Sequence, residues 1–201
     1  MVELLFCNNI KGYKIYRIIS KLFEVSTYLI ELNKCLFIID PGKHSDQFYQ
    51  FIDESKKKII IYVTHEHFDH HYDLNKIQDK YNPKVFIPNN EFQNALYLDK
   101  INLSYYFNDS INTRIINPFC EKSDLKVFKT PGHSIHSYCY KFDNYLFTGD
   151  TIIERKYLTF KLPGANKVEY NKSIDNIIKE NSPETNILPG HGDIFLLNKI
   201  K

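Results

Sequence analysis

The chain has 201 residues, 43% hydrophobic and 25% charged, with a formal net charge of +2. That length can bury a core without disulfides or metal staples, and the composition is that of an ordinary soluble globular protein. The charge is too balanced to suggest nucleic-acid binding on electrostatics alone, and Lys56-Lys57-Lys58 reads as a solvated helix end.

In chain order, residues 13–19, 26–32 and 35–39 carry strand patterns, the last closed by Asp40-Pro-Gly. Asn33-Lys34 is short enough for a hairpin turn. A helix is predicted over 46–54, where Phe48, Phe51 and Ile52 share one face. The continuous apolar run 59–63 suits a strand buried on both faces. A second helix follows residue 70, with Leu74, Ile77 and Tyr81 on one side, then a short strand at 84–87 stopped by Pro88 and a short helix at 90–98. Residues 113–116 are read as a strand, as are 125–129, 137–142 and 145–147, the last two joined at Asp143-Asn144. A helix over 169–179 places Tyr170, Ile174, Ile177 and Ile178 together, and 185–188 forms the final strand. No repeat or linker divides the chain, so one domain over 1–201 is expected. The order implies an α+β layered arrangement of two packed sheets with helices outside.

The four cysteines, Cys7, Cys35, Cys120 and Cys139, contain no Cys-x-x-Cys pair. Cys35 and Cys139 lie in apolar runs and read as small buried hydrophobes, and scattered free thiols fit a reducing cytoplasm. Neither a secretion signal nor an apolar stretch of ~20 residues is expected. The expected partner is a small-molecule substrate, with no nucleic acid and no membrane, and no oligomeric state is specified.

Between Thr64 and His70 the chain reads Thr-His-Glu-His-Phe-Asp-His. Imidazole and carboxylate at this density suit zinc, iron or manganese. Three further candidates sit in glycine-containing turns after apolar runs: His133 in Thr130-Pro-Gly-His-Ser, Asp150 in Leu146-Phe-Thr-Gly-Asp, and His191 in Pro189-Gly-His-Gly. The candidate ligands are therefore His65, His67, Asp69, His70, His133, Asp150 and His191. His65, His67 and His133 can form a three-histidine site, Asp69, His70 and His191 a second, and Asp150 can bridge the two. Two divalent ions, zinc first with iron or manganese as alternatives, would share a hydroxide that is nucleophilic at neutral pH, because metal binding lowers the pKa of water towards ~7.

His65-Glu-His67-Phe-Asp69-His70 resembles the His-x-His-x-Asp-His signature of the metallo-β-lactamase superfamily. His133, Asp150, His191 and the Asp40-Pro-Gly turn match its other motifs in order, over roughly residues 25–195. The resemblance implies a four-layer αββα sandwich with the metal site at one edge of the sheets, and makes Asp40 a supporting residue, not a ligand. An aspartate at position 150, the turns around His133 and His191, and Leu162-Pro-Gly164 are similar to the glyoxalase II branch. Two departures stand out: His71-Tyr72-Asp73 replaces the small pair that relatives commonly carry, and the helical extension that grips glutathione is not expected.

The expected function is a cytoplasmic dinuclear metal hydrolase with Asp69 and Asp150 as its catalytic carboxylates. Its expected substrate is a thioester or another activated small ester or lactone, because a thiolate leaving group (thiol pKa ~8.5) needs little help from a general acid. The alternatives are a phosphodiesterase acting on a small cyclic nucleotide or nucleic acid, a mono-iron persulfide dioxygenase, and a non-catalytic partner protein. Elsewhere, His71 is expected to face solvent, His136 to be supporting or exposed, His44 to be a loop residue, and Lys156, Tyr157 and Lys161 to be solvated loop residues with a lesser chance of touching substrate.

Overall fold

The computed structural model describes residues 1–108, 113–120, 123–153 and 159–200. Two compact units make up the chain: residues 1–63 with 67–120, and residues 64–66 with 121–201.

The first unit is built on a seven-stranded sheet whose spatial order follows the chain. β1 (Glu3–Asn8), β2 (Tyr13–Ile19), β3 (Ser26–Glu31) and β4 (Cys35–Ile39) form an antiparallel meander. β5 (Lys58–Tyr62), β6 (Lys84–Phe86) and β7 (Pro118–Phe119) then add in parallel. Parallel neighbours need crossovers, and the connections carry α1 (Asp46–Ser55), α2 (Leu74–Tyr81) and α3 (Asn90–Tyr97). Leu36, Phe37, Ile38 and Ile39 are consecutive in β4 and all buried, as expected of a strand covered on both faces. α1 buries Phe48, Tyr49 and Ile52, and its Phe51 ring meets Tyr16 of β2 edge-on at 4.8 Å.

The second unit holds β8 (Lys126–Lys129), β9 (Tyr138–Phe142), β10 (Tyr145–Gly149), β11 (Asn186–Pro189) and β12 (Phe195–Leu196), in spatial order β12-β11-β10-β9-β8. β8, β9 and β10 alternate in direction, and β10 and β11 are parallel across a connection that includes α4 (Lys167–Glu180). Hence β8, β10 and β11 all end at the same edge of their sheet. Ile174 and Ile177 of α4 pack with Phe128, Cys139, Leu146 and Ile187 to form the core of this unit.

Three expectations change. No strand forms at 113–116: the backbone N–H groups of Arg114 and Ile116 donate to the side chains of Asn75 and Gln78. Those side chains replace a ladder, and pairing with β6 begins only at Pro118. Ile178 is 46% exposed, because the buried face of α4 runs through Ser173, Ile174 and Ile177. Cys35 is half-buried, whereas Cys139 is fully buried. Strands β1 and β12 were not anticipated; both lie at sheet edges, and β1 has no buried residue. Among the described residues, no helix is long and apolar enough to cross a membrane.

Ile177→Ala removes a fully buried side chain from the α4 core and is expected to cost about 2–5 kcal/mol, whereas Ile178→Ala is expected to stay within about 0.5 kcal/mol. Urea unfolding of the two variants checks this, and equal losses would contradict the assigned helix face.

Candidate metal centre

β5 is central in its sheet and delivers the chain into the histidine-rich segment. After His67 the backbone closes one 3-10 turn over Phe68–His70, with the His70 N–H donating to the His67 carbonyl at 3.1 Å. Phe68 N–H is anchored on the Asn102 carbonyl at 2.9 Å. His67 and His70 are both buried.

Within the first unit, parallel pairing of β4 with β5 brings Asp40 to this turn. Its Oδ2 lies 2.9 Å from His70 Nδ1. An ionised carboxylate only accepts, so in the neutral ring Nδ1 carries the proton and a metal bound by His70 would take Nε2. Asp69 Oδ2 stands 3.8 Å from that Nε2. Gly42 permits the approach: a Cβ there would lie 3.0 Å from both the Asp69 carbonyl oxygen and Ser20 Cβ. Asp40 therefore supports the ligand turn, as the sequence motif implied.

Within the second unit, the common edge of β8, β10 and β11 presents three loops carrying His133, Asp150 and His191, and residues 64–66 bring His65 to them. His133 Nε2 and His191 Nε2 lie 3.6 and 3.5 Å from the same oxygen, Asp150 Oδ2. The His65 and His133 rings meet edge-on with centroids 5.0 Å apart. Thr64 Oγ1 engages His65 Nδ1 at 3.1 Å, so a metal bound by His65 would take Nε2. Separations of 3.5–3.6 Å are too long for hydrogen bonds. They match the edge of a ligand tetrahedron, roughly 3.3–3.6 Å for donors ~2.0–2.2 Å from an ion. Imidazole nitrogens converging on a carboxylate oxygen at that spacing fit a borderline divalent cation.

Backbone close to the loops is tightly constrained. Gly149 has φ +47, and a Cβ on it would sit 2.1 Å from Thr64 Oγ1. A Cβ on Gly132, with φ +141, would clash with the Tyr170 backbone at 2.3–2.4 Å. The Thr64 carbonyl accepts Tyr138 N–H at 2.7 Å, and Ser134 Oγ donates to Glu66 Oε2 at 2.7 Å, tying the segment before His67 to the loop of His133. Burial raises the Glu66 carboxyl above the ordinary range, and the Ser134 hydrogen bond opposes that rise.

The unit holding residues 64–66 thus gathers His65, His133, Asp150 and His191, and the other gathers Asp69 and His70 with Asp40. His67 is the buried residue from which the 3-10 turn starts. His71 corrects its expectation. It is fully buried, with Nδ1 3.1 Å from Thr113 Oγ1. His136 is half-buried, and Lys161 is exposed. Lys156 and Tyr157 lie outside the described residues. Residues that sequence reasoning passed over include Thr64, Ser134 and Glu66; their only signal was adjacency to a ligand.

A sequence model of the metallo-beta-lactamase superfamily matches residues 21–191. The chain is 30% identical to the probable metallo-hydrolase MJ0888 of Methanocaldococcus jannaschii, covering 86% of this chain and 89% of that protein. It is 26% identical to the probable polyketide biosynthesis zinc-dependent hydrolase PksB of Bacillus subtilis, covering 82% and 71%. It is 28% identical to the hydroxyacylglutathione hydrolase of Buchnera aphidicola, covering 86% of this chain and 64% of the relative. Among solved structures, the BLEG-1 B3 metallo-beta-lactamase superposes with a TM-score of 0.81 at 22% identity, covering 92% and 95%. TTHA1623, solved in a di-iron-bound form, superposes at 0.68 with 19% identity, covering 98% and 95%. These likenesses establish the α+β metallo-β-lactamase fold, and with the match over residues 21–191 the chain belongs to the metallo-beta-lactamase superfamily.

Proposed function

We propose that this chain is a dinuclear metal-dependent hydrolase of thioesters or similarly activated small esters and lactones. The observation that carries this reading is the approach of His133 and His191 to one oxygen of Asp150, with the His65 ring beside them. His65, His67 and His133 are assigned to one divalent ion, Asp69, His70 and His191 to a second, and Asp150 to both. Bound there, such ions supply a water whose pKa is lowered towards ~7 and polarise an acyl oxygen.

The chain's own groups set up the rest. Asp40 fixes the His70 tautomer, and Thr64 orients His65. Asp69 Oδ2 and Asp150 Oδ2 are acceptors able to hold the proton of an attacking water, the role given to them as catalytic carboxylates. A thiolate leaving group, from a thiol of pKa ~8.5, departs without a dedicated general acid. A hydroxyacylglutathione is itself a thioester, so the relative of that name supports the substrate class. An apolar acyl portion is favoured by the exposed rings of Phe23, which meets Phe68 edge-on at 5.8 Å, and Phe107, tilted against Phe68 at 5.5 Å. Phe68 is the residue between His67 and Asp69.

Protein purified without added metal is expected to contain two divalent ions per chain and to hydrolyse thioesters or lactones, with activity removed by chelation and restored by zinc. One iron per chain with oxygen consumption would replace this reading with a dioxygenase, and turnover of bis-aryl phosphates alone with a phosphodiesterase. Asp150→Ala is expected to lose at least one ion and to lower kcat/KM by about 10²–10³ or more, the scale of removing one preorganised electrostatic group. Metal analysis and thioester kinetics on the same preparation check both effects.

A further inference from the structure

The Asp40–His70 hydrogen bond depends on how Asp40 itself is held. Asp40 follows β4 with φ 54, a left-handed conformation that costs a non-glycine residue about 1 kcal/mol or more. Its N–H donates to the Tyr62 carbonyl at 3.0 Å. Its carbonyl receives the Gly42 N–H at 2.8 Å and the hydroxyl of Thr27, a fully buried residue of β3.

Thr27 has one hydroxyl hydrogen, and a carbonyl can only accept, so that hydrogen goes to Asp40. The other approaches to Thr27 Oγ1 must then come from donors: Gly42 N–H at 3.3 Å and His44 Nε2 at 2.7 Å. His44 is fixed in turn. Its ring stacks on Phe48 at 4.2 Å, and its backbone N–H donates to Asp73 Oδ2 at 2.9 Å. Asp73 also accepts the Tyr49 hydroxyl at 2.7 Å, and its own N–H donates to the Pro41 carbonyl at 3.1 Å. Every group in this chain of contacts has a defined direction.

We propose that Thr27 and His44 are positioning residues for metal binding: by holding the left-handed Asp40 they aim its carboxylate at His70 Nδ1 and so present His70 Nε2 as a ligand. This rests on the assignment of His70 as a metal ligand above. Burial of the His44 ring lowers its pKa to about 3, so the ring stays neutral near pH 7, and its single N–H is the one committed to Thr27.

The test is titration of the metal-free chain with Zn²⁺ alone, with ¹H–¹⁵N spectra of the His70 ring as a second readout. Thr27→Val keeps the shape and removes the hydroxyl. It is expected to retain one tight ion and weaken the other by about 10–100-fold, the usual effect of losing a residue that orients a ligand. Thr27→Ser keeps the hydroxyl and is expected to restore wild-type binding. His44→Phe preserves the stack on Phe48 without the donor and is expected to weaken the same ion; it also serves if Thr27→Val fails to fold. In the metal-free spectra, the His70 Nδ1–H signal is expected in the wild type and lost or shifted in Thr27→Val and His44→Phe. Unchanged affinity for both ions in folded variants would overturn the proposal. If the wild type takes up fewer than two ions, the dinuclear reading fails by itself. The His70 signal then decides, and its persistence unchanged in both variants overturns the positioning role.

Discussion

The parallel register of β4 and β5 is the constraint on which the ligand turn depends. Ile39 lies opposite Tyr62, so the next residue, Asp40, donates its N–H to the Tyr62 carbonyl as both strands end. A slip of one residue would move the carboxylate by ~3.3 Å and turn it to the other face of the sheet. Such a slip would also have to repack Leu36 through Ile39, Ile61 and Tyr62, all of which are buried. Apolar burial along two strands is thereby converted into the position of one oxygen atom.

The same device operates in the second unit with different parts. β10 and β11 run in parallel, with an irregularity where Phe147 and Gly149 pair with Leu188 and Pro189. Gly190 N–H then donates to the Gly149 carbonyl at 2.8 Å, locking together the two turns that carry Asp150 and His191. Gly149 serves twice, since its positive φ makes the turn and its missing Cβ admits Thr64. Burying histidines and carboxylates at this density costs free energy unless their polar atoms are engaged, and His65, His133 and Asp150 are each less than a tenth exposed. Binding a cation is the arrangement that offsets that cost for imidazole nitrogens grouped around a carboxylate oxygen.

Most of this was legible along the chain because the candidate ligands follow apolar runs of strand period and occupy turns rich in glycine. Strand β5, helices α1 to α4 and all the ligand-bearing loops were read at or near their observed bounds. Most of the failures share one physical source, tertiary contacts that replace a local preference. Residues 113–116 have strand-like composition, yet Asn75 and Gln78 of α2 take their N–H groups. Thr113 was counted as part of a strand and His71 as a solvent-facing residue, whereas each is the other's buried partner, 42 positions away. Thr27 reads as an ordinary β-branched strand residue, and nothing local signals that its hydroxyl holds the turn after the next strand. Ile178 was misassigned for a simpler reason: on a helix with several isoleucines, periodicity admits a face one residue wide of the true one.

The segment His71-Tyr72-Asp73, marked as a departure by the sequence resemblance, makes a distinct set of contacts. Here each of the three bulky residues takes a separate partner. His71 goes to Thr113, the Tyr72 hydroxyl accepts from Lys43 Nζ at 3.2 Å, and the Asp73 carboxylate takes both His44 N–H and Tyr49. Two of these ties reach residues 43 and 44, the same turn that Thr27 holds from the strand side. The turn following Asp40 is thus tied at His44 twice, by its N–H to Asp73 and by its ring nitrogen to Thr27.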